Sequence, residues 1–276
     1  MSKNSKEVAT EQLLESFTRA RSRRTLLKGA LAASGAVAGA GMLAALPAHA
    51  AYVQAAGGVG LAKAGSAFKF NKPAVDSVAT ILTVARTAEQ LAVTFYSHGL
   101  ANASQLGISG NDLETVKAIM IEEQIHQQFF TANGGASLAE TFSFPSGAAT
   151  FTDLNTFITT QQQLEGVFDA AFLAAVLEFA QMGRPDLAQI AAQIAQVEEG
   201  HRVMGRHIGG LTPAENYAYT PALLATVGDA PALVQKAGYL SPTSSNSYTY
   251  QPVSTTDSGI QYTKPFTAGN TAVGNG

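Results

Sequence analysis

Two short segments carry side chains able to share a metal ion: Glu123-Gln124-Ile125-His126 and, seventy-five residues later, Glu198-Glu199-Gly200-His201. On a helix, residues three apart lie on one face, so each segment aims a carboxylate and an imidazole in the same direction. A lone acidic residue precedes each segment at a nearly constant distance: Glu89 lies 34 residues before Glu123, and Glu165 lies 33 before Glu198. The order Glu, Glu-x-x-His, Glu, Glu-x-x-His describes two helical hairpins of one plan. A four-helix bundle with one Glu from each of two helices and one Glu-x-x-His from each of the others can surround a pair of metal ions.

The elements that must position these residues are written in the apolar spacing. From Pro73, alternating steps of three and four run through Val75, Leu82, Glu89 and Tyr96, predicting a helix with one buried stripe. Gly110-Asn111-Asp112 opens a second helix whose seam holds Val116, Ile119, Glu123, His126 and Phe130, and Gly134-Gly135 closes it. A loop over 134–150 follows, with Phe142-Ser143-Phe144-Pro145, and Asp153 is the expected N-cap of a third helix through Ile158, Gln161, Glu165 and Phe172. Gly183-Arg184-Pro185-Asp186 breaks the chain before a fourth helix with Ala191, Ile194, Glu198, His201 and Gly205 in register. All six candidate ligands lie on apolar seams. Unpaired buried carboxylates cost several kcal/mol each, so four in one interior call for cations between them.

Composition narrows the choice of ion and partner. The chain has 276 residues and no cysteine, which excludes disulfides, iron–sulfur clusters and thiolate-bound zinc and leaves oxygen and nitrogen donors. Residues 1–50 read as a targeting segment: Arg23-Arg24 lies in Ser22-Arg23-Arg24-Thr25-Leu26-Leu27-Lys28, ahead of an Ala/Gly/Leu-rich stretch and Ala48-His49-Ala50. Arg23 and Arg24 resemble the twin-arginine export signal, with cleavage after Ala50 and a translocase as transient partner. A rival reading retains 29–50 as a membrane anchor, since about 20 apolar residues span a bilayer. After cleavage, 226 residues remain, with 10 Lys/Arg against 17 Asp/Glu, a net charge of −7 that argues against nucleic acid and anionic membrane as partners. The expected organisation is a lead-in over 51–72, a helical bundle over 73–210 and a C-terminal extension over 211–276. The extension is expected to hold a short helix or two between Pro213 and Gly238, with Leu223, Leu224, Val227, Leu233 and Val234 packing on the bundle, then a Ser/Thr/Tyr-rich tail with a few β pairings.

With Glu89 and Phe95-Tyr96, Glu122-Glu123-Gln124-Ile125-His126, the Phe142–Pro145 linker, Leu164-Glu165 and Val197-Glu198-Glu199-Gly200-His201, residues 74–210 resemble the ferritin-like superfamily. The closer likeness is to its exported single-domain branch, which includes plant desiccation-related proteins. The resemblance implies an all-α, ferritin-like four-helix bundle with a long connection between its second and third helices. It also implies two ions, iron or manganese, held by Glu89, Glu123, His126, Glu165, Glu198 and His201, with Glu123 and Glu198 as the bridges. Oxidoreductase chemistry on ferrous iron, oxygen or peroxide, linked to stress protection in the periplasm or cell envelope, is the expected activity. The alternative is a structural or interaction bundle in which metal is absent or only stabilising. A homodimer is compatible with either reading, while the long tail argues against a closed cage.

Neighbouring residues receive plainer expectations. Glu122 and Glu199 rotate about 100° from the ligand face and are read as solvated or supporting. Glu178 is expected at the surface, Tyr96 packed with its hydroxyl satisfied, and His98 and His207 at helix ends. The Asn102-Ala103-Ser104 sequon is read as chance.

Overall fold

The computed structural model describes residues 75–256 and 259–260. The expected export segment over 1–50, with Arg23, Arg24 and the cleavage after Ala50, and the lead-in over 51–72 lie outside the described residues. Four long helices carry the fold: α1 (Val78–Ala101), α3 (Gly110–Ala132), α4 (Leu154–Gln181) and α5 (Pro185–Ile208), with a single-turn α2 (Ala103–Leu106) between the first two. The chain enters α1 at Ser77, whose side chain accepts a hydrogen bond from Thr80 N at 3.1 Å, so Val75 precedes the helix that its spacing predicts. Asp153 caps α4 as the sequence predicts, accepting from Thr156 N at 2.8 Å. Pro185 occupies the first turn of α5, where its missing N–H has no intrahelical partner to lose.

Short connections make α1–α3 and α4–α5 two antiparallel hairpins, and the hairpins meet with α1 along α4 and α3 along α5. Asp76 N donates to Glu178 Oε1 at 2.6 Å, which sets the start of α1 beside the end of α4 and makes these two neighbours antiparallel as well. The crossover over 133–153 must therefore travel the length of the bundle. It is anchored by Phe142, Phe144 and Phe151, all almost fully buried. The rings of Phe144 and Phe151 stack edge-on against each other and against Tyr248.

The C-terminal extension returns along this crossover. A 3₁₀ turn (Val227–Asp229) and α6 (Ala230–Lys236) pack on the bundle, and β1 (Thr141–Phe142) pairs antiparallel with β2 (Tyr248–Thr249). Asn246 closes a reciprocal pair with the backbone of Phe144, accepting from its N–H at 3.1 Å and donating to its carbonyl at 2.8 Å. Glu178 corrects the sequence reading. It is 1% exposed, because the extension covers the end of α4, and its carboxylate accepts from Asp76 N and from Val227 N at 2.8 Å. A carboxylate that looks superficial from its own helix thus ties together three separate segments.

Candidate metal centre

Midway along the bundle each long helix delivers its chemistry to one point. Glu89 from α1, Glu123 from α3, Glu165 from α4, and Glu198 and His201 from α5 are each at most 1% exposed, while the His126 side chain from α3 is 13% exposed. Two overlapping groups result: Glu89, Glu123, His126 and Glu198, and Glu123, Glu165, Glu198 and His201, the donor atoms of each lying within 4.8 Å of one another. Glu123 and Glu198 belong to both. The sharing follows from the i, i+3 spacing, which gives each Glu-x-x-His helix one imidazole at the edge of the cluster and one carboxylate at its centre.

Both imidazoles turn Nδ1 inward. His126 Nδ1 lies 3.3 Å from Glu198 Oε1, 3.6 Å from Glu123 Oε2 and 3.8 Å from Glu89 Oε1. His201 Nδ1 lies 3.1 Å from Glu123 Oε1, 3.5 Å from Glu198 Oε2 and 3.9 Å from Glu165 Oε2. Only the His201–Glu123 contact among these has hydrogen-bond geometry. Seven buried atoms of the cluster have no hydrogen-bond partner: both oxygens of Glu89 and of Glu198, one each of Glu123 and Glu165, and Nδ1 of His126. Buried polar atoms in proteins are seldom left so. Convergent, unsatisfied carboxylate oxygens and imidazole nitrogens form a donor set that fits hard or borderline divalent cations.

The protein's own charges partly balance in the absence of metal. Burial and then the negative charges of Glu123 and Glu198 push the Glu89 carboxyl well above its usual range. Burial and Glu123 do the same to Glu165. Burial also opposes ionisation of Glu123, but contact with Glu89 and the charges of His201 and His126 outweigh it and hold this carboxyl below the usual range. Burial disfavours the imidazolium of His126, yet Glu123 and Glu198 overcome that cost and raise it to about 9. His201 is likewise raised well above normal, with burial overcome by Glu123, Glu122 and Glu198. Burial and mutual repulsion thus favour the protonated acids, and the carboxylate charges favour the protonated imidazoles, in the space where cations fit.

The two halves differ outside the cluster. His201 Nε2 contacts Glu122 Oε2 at 2.9 Å, a carboxylate that fixes the ring with Nδ1 inward. The residue at the matching place before Glu198 is Val197, so His126 has no corresponding carboxylate. Tyr96 hydrogen-bonds to Glu165 and receives Gln161 Nε2 at 3.2 Å, and Gln161 also donates to His201 O at 2.8 Å. Gly205 leaves the room for that Gln161 amide, since a Cβ there would collide with it. His98 packs on Phe151 and Tyr248 near the end of α1, and His207 is exposed in the last turn of α5, so neither reaches the cluster.

Three further residues escaped sequence reasoning. Asp169, one turn after Glu165, is 1% exposed, and burial followed by Glu199 and Glu198 raises its carboxyl to about 8. Arg202, 2% exposed, takes Glu199 through Nε at 2.7 Å, bonds Asn216 Oδ1 at 2.7 Å and stacks 4.1 Å from the Tyr217 ring centroid. Gln124 Oε1 accepts from Tyr250 Oη and from Val253 N, both at 2.9 Å, seating the tail on α3 beside Glu123. The i, i+3 spacing of Glu199 and Arg202 was the available signal for one of these contacts. The others depend on segments far away in sequence.

Comparison with the curated proteins and with the solved structures finds no match. Residues 77–210, the span of the four long helices and their crossover, match the family model for the ferritin-like domain. Over residues 77–210 the chain is similar to the ferritin-like domain, and its fold there is an all-α bundle around a buried Glu/His cluster that could hold metal ions.

Proposed function

We propose that this is an exported di-metal carboxylate protein. Glu89, Glu123, His126 and Glu198 would hold one ion, and Glu123, Glu165, Glu198 and His201 the other, with iron or manganese the natural choices for four carboxylates and two imidazoles. The observation that carries this reading is the sharing of Glu123 and Glu198 by two groups of donors with unsatisfied buried atoms. A redox-active metal pair supplies electron transfer to or from oxygen or peroxide, the chemistry of ferrous iron oxidation or peroxide disposal.

The chain's own residues prepare that site. Glu122 orients His201, and Tyr96 and Gln161 hold Glu165 and the backbone of His201. The carboxylates of Glu89, Glu123, Glu165 and Glu198 are almost fully buried, with an apolar wall on one side of them. The resemblance of residues 1–50 to an export signal supports a role outside the cytoplasm, where such a site would serve protection against metal or oxidant stress.

A second reading, a structural bundle of the cell envelope, is favoured by one feature: burial and neighbouring charges shift Glu89 and Glu165, and neighbouring carboxylates the two imidazoles, toward their protonated forms, which would let the cluster balance its charge without metal. Oxygen uptake with ferrous iron, and peroxide decay, separate the two. The di-metal reading expects Glu123→Ala to abolish both rates while helical circular dichroism is unchanged. Equal rates in the variant and the wild type would overturn it.

A further inference from the structure

On one side of the metal centre lies the polar network of Tyr96 and Gln161; on the other lies an apolar cavity of about 60 Å³. Its wall includes Ala85, Phe130, Phe168 and Ile194. These are the residues one helical turn from Glu89, His126, Glu165 and Glu198 respectively, so the cavity begins roughly 6 Å along the bundle axis from the ligands. Leu138 also lines it and is 54% exposed, so the space reaches the protein surface.

The lining decides what can enter. Among the described residues, Thr87 is the one polar side chain in the wall, and its hydroxyl is already committed, donating to Thr83 O at 2.8 Å and accepting from Leu138 N at 3.0 Å. A buried water needs two to four polar partners, and this wall offers none, so the cavity stays dry. Hydrogen peroxide would lose its hydrogen bonds on entering, whereas an apolar molecule would lose nothing. Size sets the other limit, because engineered apolar cavities of about 150 Å³ take benzene and this space is less than half as large.

We infer that the cavity is a binding site for a small apolar gas of the dioxygen class, lying on an apolar route from the surface near Leu138 to the metal centre. This rests on the proposed di-metal site and deepens it, naming dioxygen rather than peroxide as the oxidant that approaches from this end.

Xenon is the probe. Crystals of the wild type and of the His126→Ala/His201→Ala variant, pressurised with xenon, are expected to show a xenon atom against Ala85, Phe168 and Ile194 in both. Ala171→Leu, one turn from Phe168 on α4 and in the cavity wall, is expected to lose it, with Ala191→Val from α5 as the substitute if that variant does not fold. A wild-type cavity without xenon, or one filled by ordered water, would overturn the inference. Xenon needs no metal, so a protein that takes xenon but binds no metal would refute the di-metal reading while leaving the gas site standing.

Discussion

Stripping the metal should make the bundle respond to pH in a direction set by the cluster. His126 is raised from an ordinary 6.5 to about 9 by Glu123 and Glu198 acting against burial. A group raised in the folded state stabilises it fully below the unfolded value and loses that contribution as pH climbs through the folded value. The shift is worth about 3 kcal/mol at 1.36 kcal/mol per unit, lost between pH 6.5 and 9. His201, Glu89 and Glu165 are raised too and act in the same sense. Glu123 is lowered, and its contribution disappears only as pH falls below the ordinary carboxylate range. For a domain of this size about 3 kcal/mol corresponds to a Tm change of roughly 6–12 °C. Thermal melts of chelator-treated protein followed by circular dichroism should therefore fall by at least that much from pH 6.5 to 9, and His126→Ala should show a flatter profile. A Tm that is level or rises across this window would refute the electrostatic account of the cluster.

Three other outcomes follow from particular contacts. Glu122→Gln removes the charge that fixes His201 through Nε2 and should weaken metal binding about 10–100-fold by titration calorimetry, with little change in helix content. Glu178→Ala leaves the buried Val227 N–H and the half-buried Asp76 N–H without their acceptor and should cost about 2–3 kcal/mol in urea unfolding, since an orphaned buried group costs roughly 1–3 kcal/mol. Gly205→Ala drives a methyl into the Gln161 amide and should destabilise by about 1–3 kcal/mol, with a change in the Tyr96 ultraviolet signal as its hydrogen bond from Gln161 is disturbed.

Much of the bundle was legible because helix burial is periodic. Glu89, Glu123, Glu165 and Glu198 sit in apolar stripes at the positions where Leu or Ile would serve a plain core, and that placement, with the repeated Glu-x-x-His spacing, marks them as candidate ligands. Asp153 could be read as a cap because its side chain acts on a neighbour three residues away. Glu178 could not be read: its burial comes from Val227 and the extension beyond α5, and no local pattern records which distant segment will cover a helix end. Asp169 was hidden for a similar reason, lying one turn beyond Glu165 with its carboxyl raised by burial and then by Glu199 on another helix. The inequality of the two histidines is visible in the sequence as Glu122 against Val197, but its meaning appears only once α3 and α5 are side by side.

The most direct test is a metal count on the purified protein by elemental analysis, beside the His126→Ala/His201→Ala double variant. The account predicts two ions of iron or manganese per chain in the wild type and their loss in a variant that still folds. No bound metal in the wild type, or the same content in both proteins, would contradict it.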